Sequence, residues 1–288
     1  MDTEKRGLLY AWLFAMLEGL FPILSIFTLR YIGSLYAYAF SIAVATLFFV
    51  AYLHHRGKLH ELISAEARFD LLMTALLING MFVLIFIGLR YTTAANMSVI
   101  IILQLLFSYL YFNVFGSEKL GVVPTIGAFM MAVGGIYVVF PADFRFNKGD
   151  LMILAAAAIA PVANLYQKRA RNFVSSETVL AFRDIAAIPI VLALALLFER
   201  SLSLHAFREA LPFILLNGFL VFTLAKMLWI EALHFTSITK LSAMVSLIPV
   251  FTLLFSWLLL SQIPSMHTLP GIIAVVVGSL LISRKEQS

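Results

Sequence analysis

Residues 91–98, YTTAANMS, return 144 positions later as FTSITKLS, residues 235–242. The alignment runs without a gap from 91–138 onto 235–282, and 144 is half of the 288-residue chain. Leu103, Phe107 and Leu110 fall on Leu247, Phe251 and Leu254, and Gly127 and Gly134 fall on Gly271 and Gly278. With a short gap, Asn79 and Gly80 also recur as Asn217 and Gly218. Apolar helices share aliphatic residues by chance, so the two glycine pairs in register carry most of the weight.

The repeated material is hydrocarbon-like. Hydrophobic residues make up 62% of the chain and charged ones only 12%, with a mean hydropathy of +1.00. Soluble domains run about 45–50% apolar and about 25% charged. Ten apolar runs stand out, at 7–30, 35–53, 69–90, 92–114, 120–141, 150–170, 177–198, 209–233, 237–260 and 267–283. They are too long for barrel strands and do not alternate, so they read as membrane-crossing helices, which satisfy every backbone group internally. The predicted fold is an all-α membrane protein of ten transmembrane helices, divided at 1–145 and 146–288. Five spans per half is an odd number, so the second half must thread the bilayer in the opposite sense. Inverted repeats place a site between the halves near the midplane, and alternating access comes with that symmetry.

Lysine and arginine orient the chain. With the N-terminus inside, the cytoplasmic flanks hold eleven of them and the opposite flanks six, which predicts both termini in the cytoplasm. The net charge of +5 therefore reads as topology and not as nucleic-acid binding. The histidines of the loop HHRGKLHELISAEARFD, residues 54–70, read as solvated. The first apolar run lacks a small-residue cleavage site and is expected to be a retained span. Absence of cysteine excludes thiol chemistry, and no phosphate loop, GxSxG or HExxH is present. The expectation is a non-enzyme without cofactor or metal.

Gly116, Ser117 and Glu118, followed by Gly127 and Gly134, close the first half. Ser261 and Gln262, with Gly271 and Gly278, close the second, and Pro249 precedes them. This pattern resembles the end of an EamA repeat of the drug/metabolite transporter superfamily, and the resemblance covers essentially all ten spans. It departs at Gln262, where a second glutamate is usual, and at Lys240, where a small residue is usual. The resemblance implies a ten-helix basket with a central cavity lined by spans 1, 3, 4, 6, 8 and 9. Spans 5 and 10 would lie at the back, packed through their glycines.

Charges inside the spans mark the candidate site, because an ionisable group at mid-bilayer costs about 2.5–3.5 kcal/mol on insertion scales. Glu18 lies mid-way along span 1, as a carboxylate that binds a cationic substrate group or takes up a proton, and its position is similar to the membrane glutamate of the small multidrug-resistance proteins. Lys226 lies mid-way along span 8 with no acidic residue one turn away. It reads as an anchor for an anionic group, as a partner of Glu18 or Glu231, or as both in turn. Asn79, Gln104 and Asn164 are amides that need partners, and Asn164 follows the helix-breaking Pro161. Phe14 and Phe21 share Glu18's face at i−4 and i+3, Trp229 shares that of Lys226, and Tyr166 is a further candidate wall. Glu231 and Lys240 are expected to pair across a turn. Arg183 and Asp184, adjacent in span 7 two turns from the cytoplasmic end, are expected to point to different faces and to meet neighbouring helices or snorkel.

Together these residues predict a secondary transporter for a small polar or zwitterionic metabolite such as an amino acid, by export or exchange or with proton coupling through Glu18. A competing reading is an organic-cation or drug exporter that uses Glu18 and aromatic walls, another a carrier of a nucleotide-derived metabolite, and a third a non-transporting membrane protein such as a lipid scramblase. The partners expected are a small molecule, protons and lipid, with no nucleic acid. Monomer and homodimer both stay open. The compact form suits a multi-pass protein of a bacterial inner (plasma) membrane.

Overall fold

The computed structural model describes residues 3–111, 121–139, 147–235, 247–262, 266 and 269–282. Among them the elements are helices: α1 (Thr3–Leu29), α2 (Ser34–His55), α3 (Arg68–Gly88), α4 (Ala94–Ile101), α5 (Gln104–Tyr109), α6 (Val122–Val139), α7 (Lys148–Ala170), α8 (Ser176–Phe198), α9 (Leu204–Leu216), α10 (Lys226–Phe235), α11 (Ile248–Leu260) and α12 (Leu269–Ile282). A short 3-10 turn, Leu59–Ile63, lies between α2 and α3, and a π-helical stretch, Asn217–Ala225, joins α9 to α10. Among the described residues, six helical segments are long and apolar enough to cross a membrane, and four apolar ones are shorter. The Glu231–Lys240 pairing and the turn at Gly116, Ser117 and Glu118 lie outside the described residues.

Side-chain oxygens start several helices. Thr93 accepts from the Asn96 N–H to open α4, Asn147 from Gly149 to open α7, and Ser203 from Ala206 to open α9. The outer surface is apolar: Leu47, Leu76, Phe129, Ile190 and Leu196 are all exposed. Lipid is a solvent that accepts such a surface, and water is not.

The principal packing pairs form a regular set. α6 lies along α12, α2 along α8, and α4 touches α11. α3 lies along α7, and α1 lies along α9, the π-helix and α10. α1 also packs on α11, as α7 does on α4; α3 packs on α8, as the π-helix does on α2. If α4–α5 and α9–α10 each count as one span, exchanging every span with the one five places away maps this set onto itself. The α6–α12 contact has the same property in atomic detail. A Cβ on Gly134 would lie 2.7 Å from the Gly271 carbonyl oxygen, and one on Gly278 would lie 2.6 Å from that of Gly127. Early residues of each helix meet late residues of the other, so the two run antiparallel, and glycine is what lets their backbones touch.

Two carboxylates tie loops to helix ends. Glu61, between α2 and α3, accepts from the N–H and hydroxyl of Ser175 (2.7 and 2.6 Å) and the hydroxyl of Thr178 (2.7 Å), at the start of α8. Glu199, at the end of α8, accepts from the N–H groups of Leu35 (3.1 Å) and Tyr36 (3.3 Å), at the start of α2. Each carboxylate satisfies orphan N–H groups at the positive end of a helix dipole. Desolvation raises the Glu61 pKa, but the Ser175 and Thr178 hydroxyls, the Ser175 N–H and Lys58 outweigh it and pull it down to about 2.

Candidate substrate site between α1 and α10

Glu18 owes its direction to its neighbour. Gly19 presses α1 against α11 so closely that a Cβ there would lie 2.7 Å from the Phe251 Cβ. The Thr252 hydroxyl donates to the Gly19 carbonyl at 3.1 Å and holds that contact. Successive residues of a helix are about 100° apart. With Gly19 turned to α11, Glu18 is swung toward α10. Pro22, one turn on, lacks an N–H and so frees the Glu18 carbonyl of its intrahelical bond.

Lys226 is the first residue of α10, immediately after the π-helix. Within that stretch the Thr223 hydroxyl donates to the Gly218 carbonyl five residues back, at 3.0 Å. A π segment carries extra residues per turn and re-phases the helix beyond it; such bulges are frequent at functional sites. The lysine is the first side chain to be re-aimed in this way.

The two charges meet. Lys226 Nζ donates to both Glu18 oxygens at 2.9 Å, and each side chain is 18% exposed. Phe14 stands one turn from Glu18, with Nζ 5.9 Å from its ring centroid, and Trp229 packs on Phe14 at 4.9 Å. Four predicted site residues, two from each helix, therefore converge.

The other candidates lie elsewhere. Phe21 is buried in a ring cluster with Phe82, Phe86 and Phe222. Asn79 is buried and fully engaged: it accepts from the Tyr38 hydroxyl and donates to the carbonyls of Ala75 (2.6 Å) and Arg183 (2.9 Å). Gln104 is half-buried and opens α5 just after a break at Ile102 and Leu103, where Leu103 and Leu105 bond three residues back. Interrupted backbone of this kind is tolerated in membranes where protein or a cavity surrounds it. Asn164 is on an exposed part of α7. Tyr166 stacks edge-on to Phe69 at 6.0 Å beneath Arg169, near the last turn of α7.

Arg183 and Asp184 correct the expectation from helical phase. They do not diverge to separate partners; Arg183 Nε donates to Asp184 Oδ1 at 2.9 Å. The guanidinium arm is long enough to fold back over one residue. Both groups are buried, and Arg183 Nη2 and Asp184 Oδ2 have no hydrogen-bond partner among the described residues.

The profile of the EamA-like transporter family matches residues 5–140 and again 147–284. The chain belongs to the EamA-like transporter family. This places it in the drug/metabolite transporter superfamily. A protein of Archaeoglobus fulgidus named as an uncharacterized transporter is 24% identical over 209 residues, 70% of this chain and 71% of that one. The uncharacterized transporter YoaV of Bacillus subtilis is 21% identical over 212 residues, 72% and 73% of the two chains. A solved structure titled only as a protein crystal structure superposes with a TM-score of 0.71 at 18% identity. It covers 96% of each chain and shares the fold. The protein is thus a multi-pass membrane transporter, for a small molecule, of the EamA type.

Proposed function

We propose that this EamA-type chain carries a small zwitterionic metabolite, an amino acid or a compound of like charge, by alternating access. The observation behind this reading is the Glu18–Lys226 ion pair. A ligand bearing an ammonium and a carboxylate can replace each partner like for like, ammonium on Glu18 and carboxylate on Lys226. The net charge of the site stays at zero throughout, which avoids leaving a lone charge in the membrane interior. Phe14 and Trp229 supply an aromatic wall beside the incoming cation. Proton coupling belongs to the same reading, since a proton on Glu18 would release Lys226 without a ligand. The polar amides Gln104 and Asn164 are assigned to the chamber wall, and Asn79 to holding α2, α3 and α8 together beneath it.

Two oppositely threaded five-helix halves, 1–145 and 146–288, are the machinery for this. The reading is supported by the two family matches, by the packing set that maps onto itself, and by the antiparallel, reciprocal α6–α12 contact. The lysine and arginine distribution supports cytoplasmic termini in a bacterial inner membrane.

The test is a thermal-shift screen of purified protein against amino acids, polyamines, nucleosides and quaternary amines. Amino acids should raise the Tm of the native protein and neither Glu18→Gln nor Lys226→Ala should respond. Stabilisation by quaternary amines that survives Lys226→Ala would instead favour an organic-cation exporter, a reading to which the ring pair Phe14–Trp229 beside Glu18 lends support. Uptake into proteoliposomes with and without a pH gradient tests coupling: equal rates would remove it.

A further inference from the structure

An ion pair inside a membrane protein is difficult to open, because removing one partner leaves a charge uncompensated. If Glu18 turns to a substrate ammonium, Lys226 needs somewhere to go until the substrate carboxylate is seated. One carboxylate in the described interior has an oxygen to spare. Asp184 uses Oδ1 for Arg183, while its Oδ2 is buried and without a partner. Asp184 is fully buried: the carbonyl of its neighbour Arg183 accepts from Asn79 of α3, Asn79 accepts from the Tyr38 hydroxyl of α2, and the Tyr38 ring lies 6.1 Å from that of Phe222, four residues before Lys226. α2 packs both on α8, which carries Asp184, and on the π-helix that leads directly into Lys226. The lysine stem is flexible, with a charge that can swing on four methylenes.

We propose that Asp184 is the alternate acceptor for Lys226: the ammonium alternates between Glu18 and Asp184 Oδ2, and this exchange is what lets Glu18 be released to a ligand. Asp184 then acts as a positioning residue through Lys226. The purpose of the exchange rests on the zwitterion reading, but the exchange itself does not need a substrate.

The experiment uses the full chain in detergent without any substrate, in a double-mutant cycle of Glu18→Gln and Asp184→Asn read by Tm. In Glu18→Gln the lysine should already be held by Asp184. Asp184→Asn should therefore lower the Tm by at least about 2 °C more in that background than in the native one. Equal losses in the two backgrounds overturn the proposal. If Asp184→Asn does not fold, because Arg183 has lost its partner, a cryo-EM structure of Glu18→Gln alone decides. Lys226 Nζ within about 3 Å of Asp184 Oδ2 supports the exchange. An ammonium still turned to the substituted side chain at position 18, or to any group other than Asp184, overturns it. Neither result depends on whether amino acids bind, so a failed ligand screen and a failed exchange are separate outcomes.

Discussion

The same helix pairing occurs twice in this molecule, and the two copies have diverged. On one side α7 lies along α3, and glycine makes the contact. A Cβ on Gly149 would lie 2.6 Å from the Gly88 carbonyl oxygen and 3.0 Å from the Thr92 nitrogen, so the backbones are in contact. On the other side α1 lies along α9, the π-helix and α10, and the contact carries Glu18 and Lys226. The α3 helix is regular, whereas its counterpart is π-wound for nine residues. The architecture needs a helix–helix contact at both places. Both places also hold a carboxylate, but Asp150, next to Gly149, is met by the neutral side chains of Thr92 and Asn96, whereas Glu18 is met by a cation. The cation set against the carboxylate is what distinguishes the second copy, and it is the feature that the proposed zwitterion site uses.

That contrast can be broken first at the charges. Lys226→Ala should abolish amino-acid uptake and lower stability; removing one partner of a fully buried pair costs about 3–5 kcal/mol, and partial exposure puts this site toward the lower end. Replacing both, Glu18→Leu with Lys226→Met, should recover most of that stability and none of the transport. Recovery measured by Tm, alongside uptake, would show that the scaffold is indifferent to the pair. Failure to recover would make the pair structural.

The glycine copy should behave the other way. Gly149→Ala meets backbone that cannot move aside, so it should cost about 1–3 kcal/mol. Uptake per folded molecule in proteoliposomes should be unchanged. Loss of transport without loss of stability would mean that this contact also works during the cycle.

The two end clamps give smaller effects. Glu61→Gln and Glu199→Gln each weaken a helix start, and caps are worth about 0.5–2 kcal/mol. The Glu61 carboxyl titrates lower in the folded protein, at about 2, than its ordinary value of 4.5. Its contribution is thus fully present above about 4.5, declines as pH falls below that value and is gone once pH has fallen through about 2. Chemical denaturation should show the same destabilisation by Glu61→Gln at about pH 7 and about pH 5, and a shrinking one below about pH 4. Least of all, Tyr166→Ala, against Phe69 and Arg169, should change stability by no more than about 0.5 kcal/mol and leave uptake intact.

Much of this was legible in the chain itself. Spans follow from apolar length, and the paired glycines at 127/134 and 271/278 announced the contact that α6 and α12 make. Helical phase alone put Phe14 with Glu18 and Trp229 with Lys226. Phase failed for Arg183 and Asp184, since it fixes where a Cβ points and not where a long side chain ends. It also failed for Phe21, which shares Glu18's face but is claimed by rings from α3 and the π-helix. The Glu61 and Glu199 clamps were invisible because their targets lie 114 or more residues away. Yet a signal existed. Glu61 and Glu199 are 138 positions apart, as are Asn79 and Asn217, whereas the later repeat runs at 144. The shared offset ties both pairs to one register, and the slip of six falls between Asn217 and Phe235, where the π-helix and the lysine sit.

The central claim is that Glu18 and Lys226 jointly receive one zwitterionic ligand. Uptake of radiolabelled amino acids into proteoliposomes, compared among native protein, Lys226→Ala and Glu18→Gln, tests it most directly. Saturable uptake by the native protein and none by either variant is the predicted result. Undiminished amino-acid transport by Lys226→Ala would contradict it.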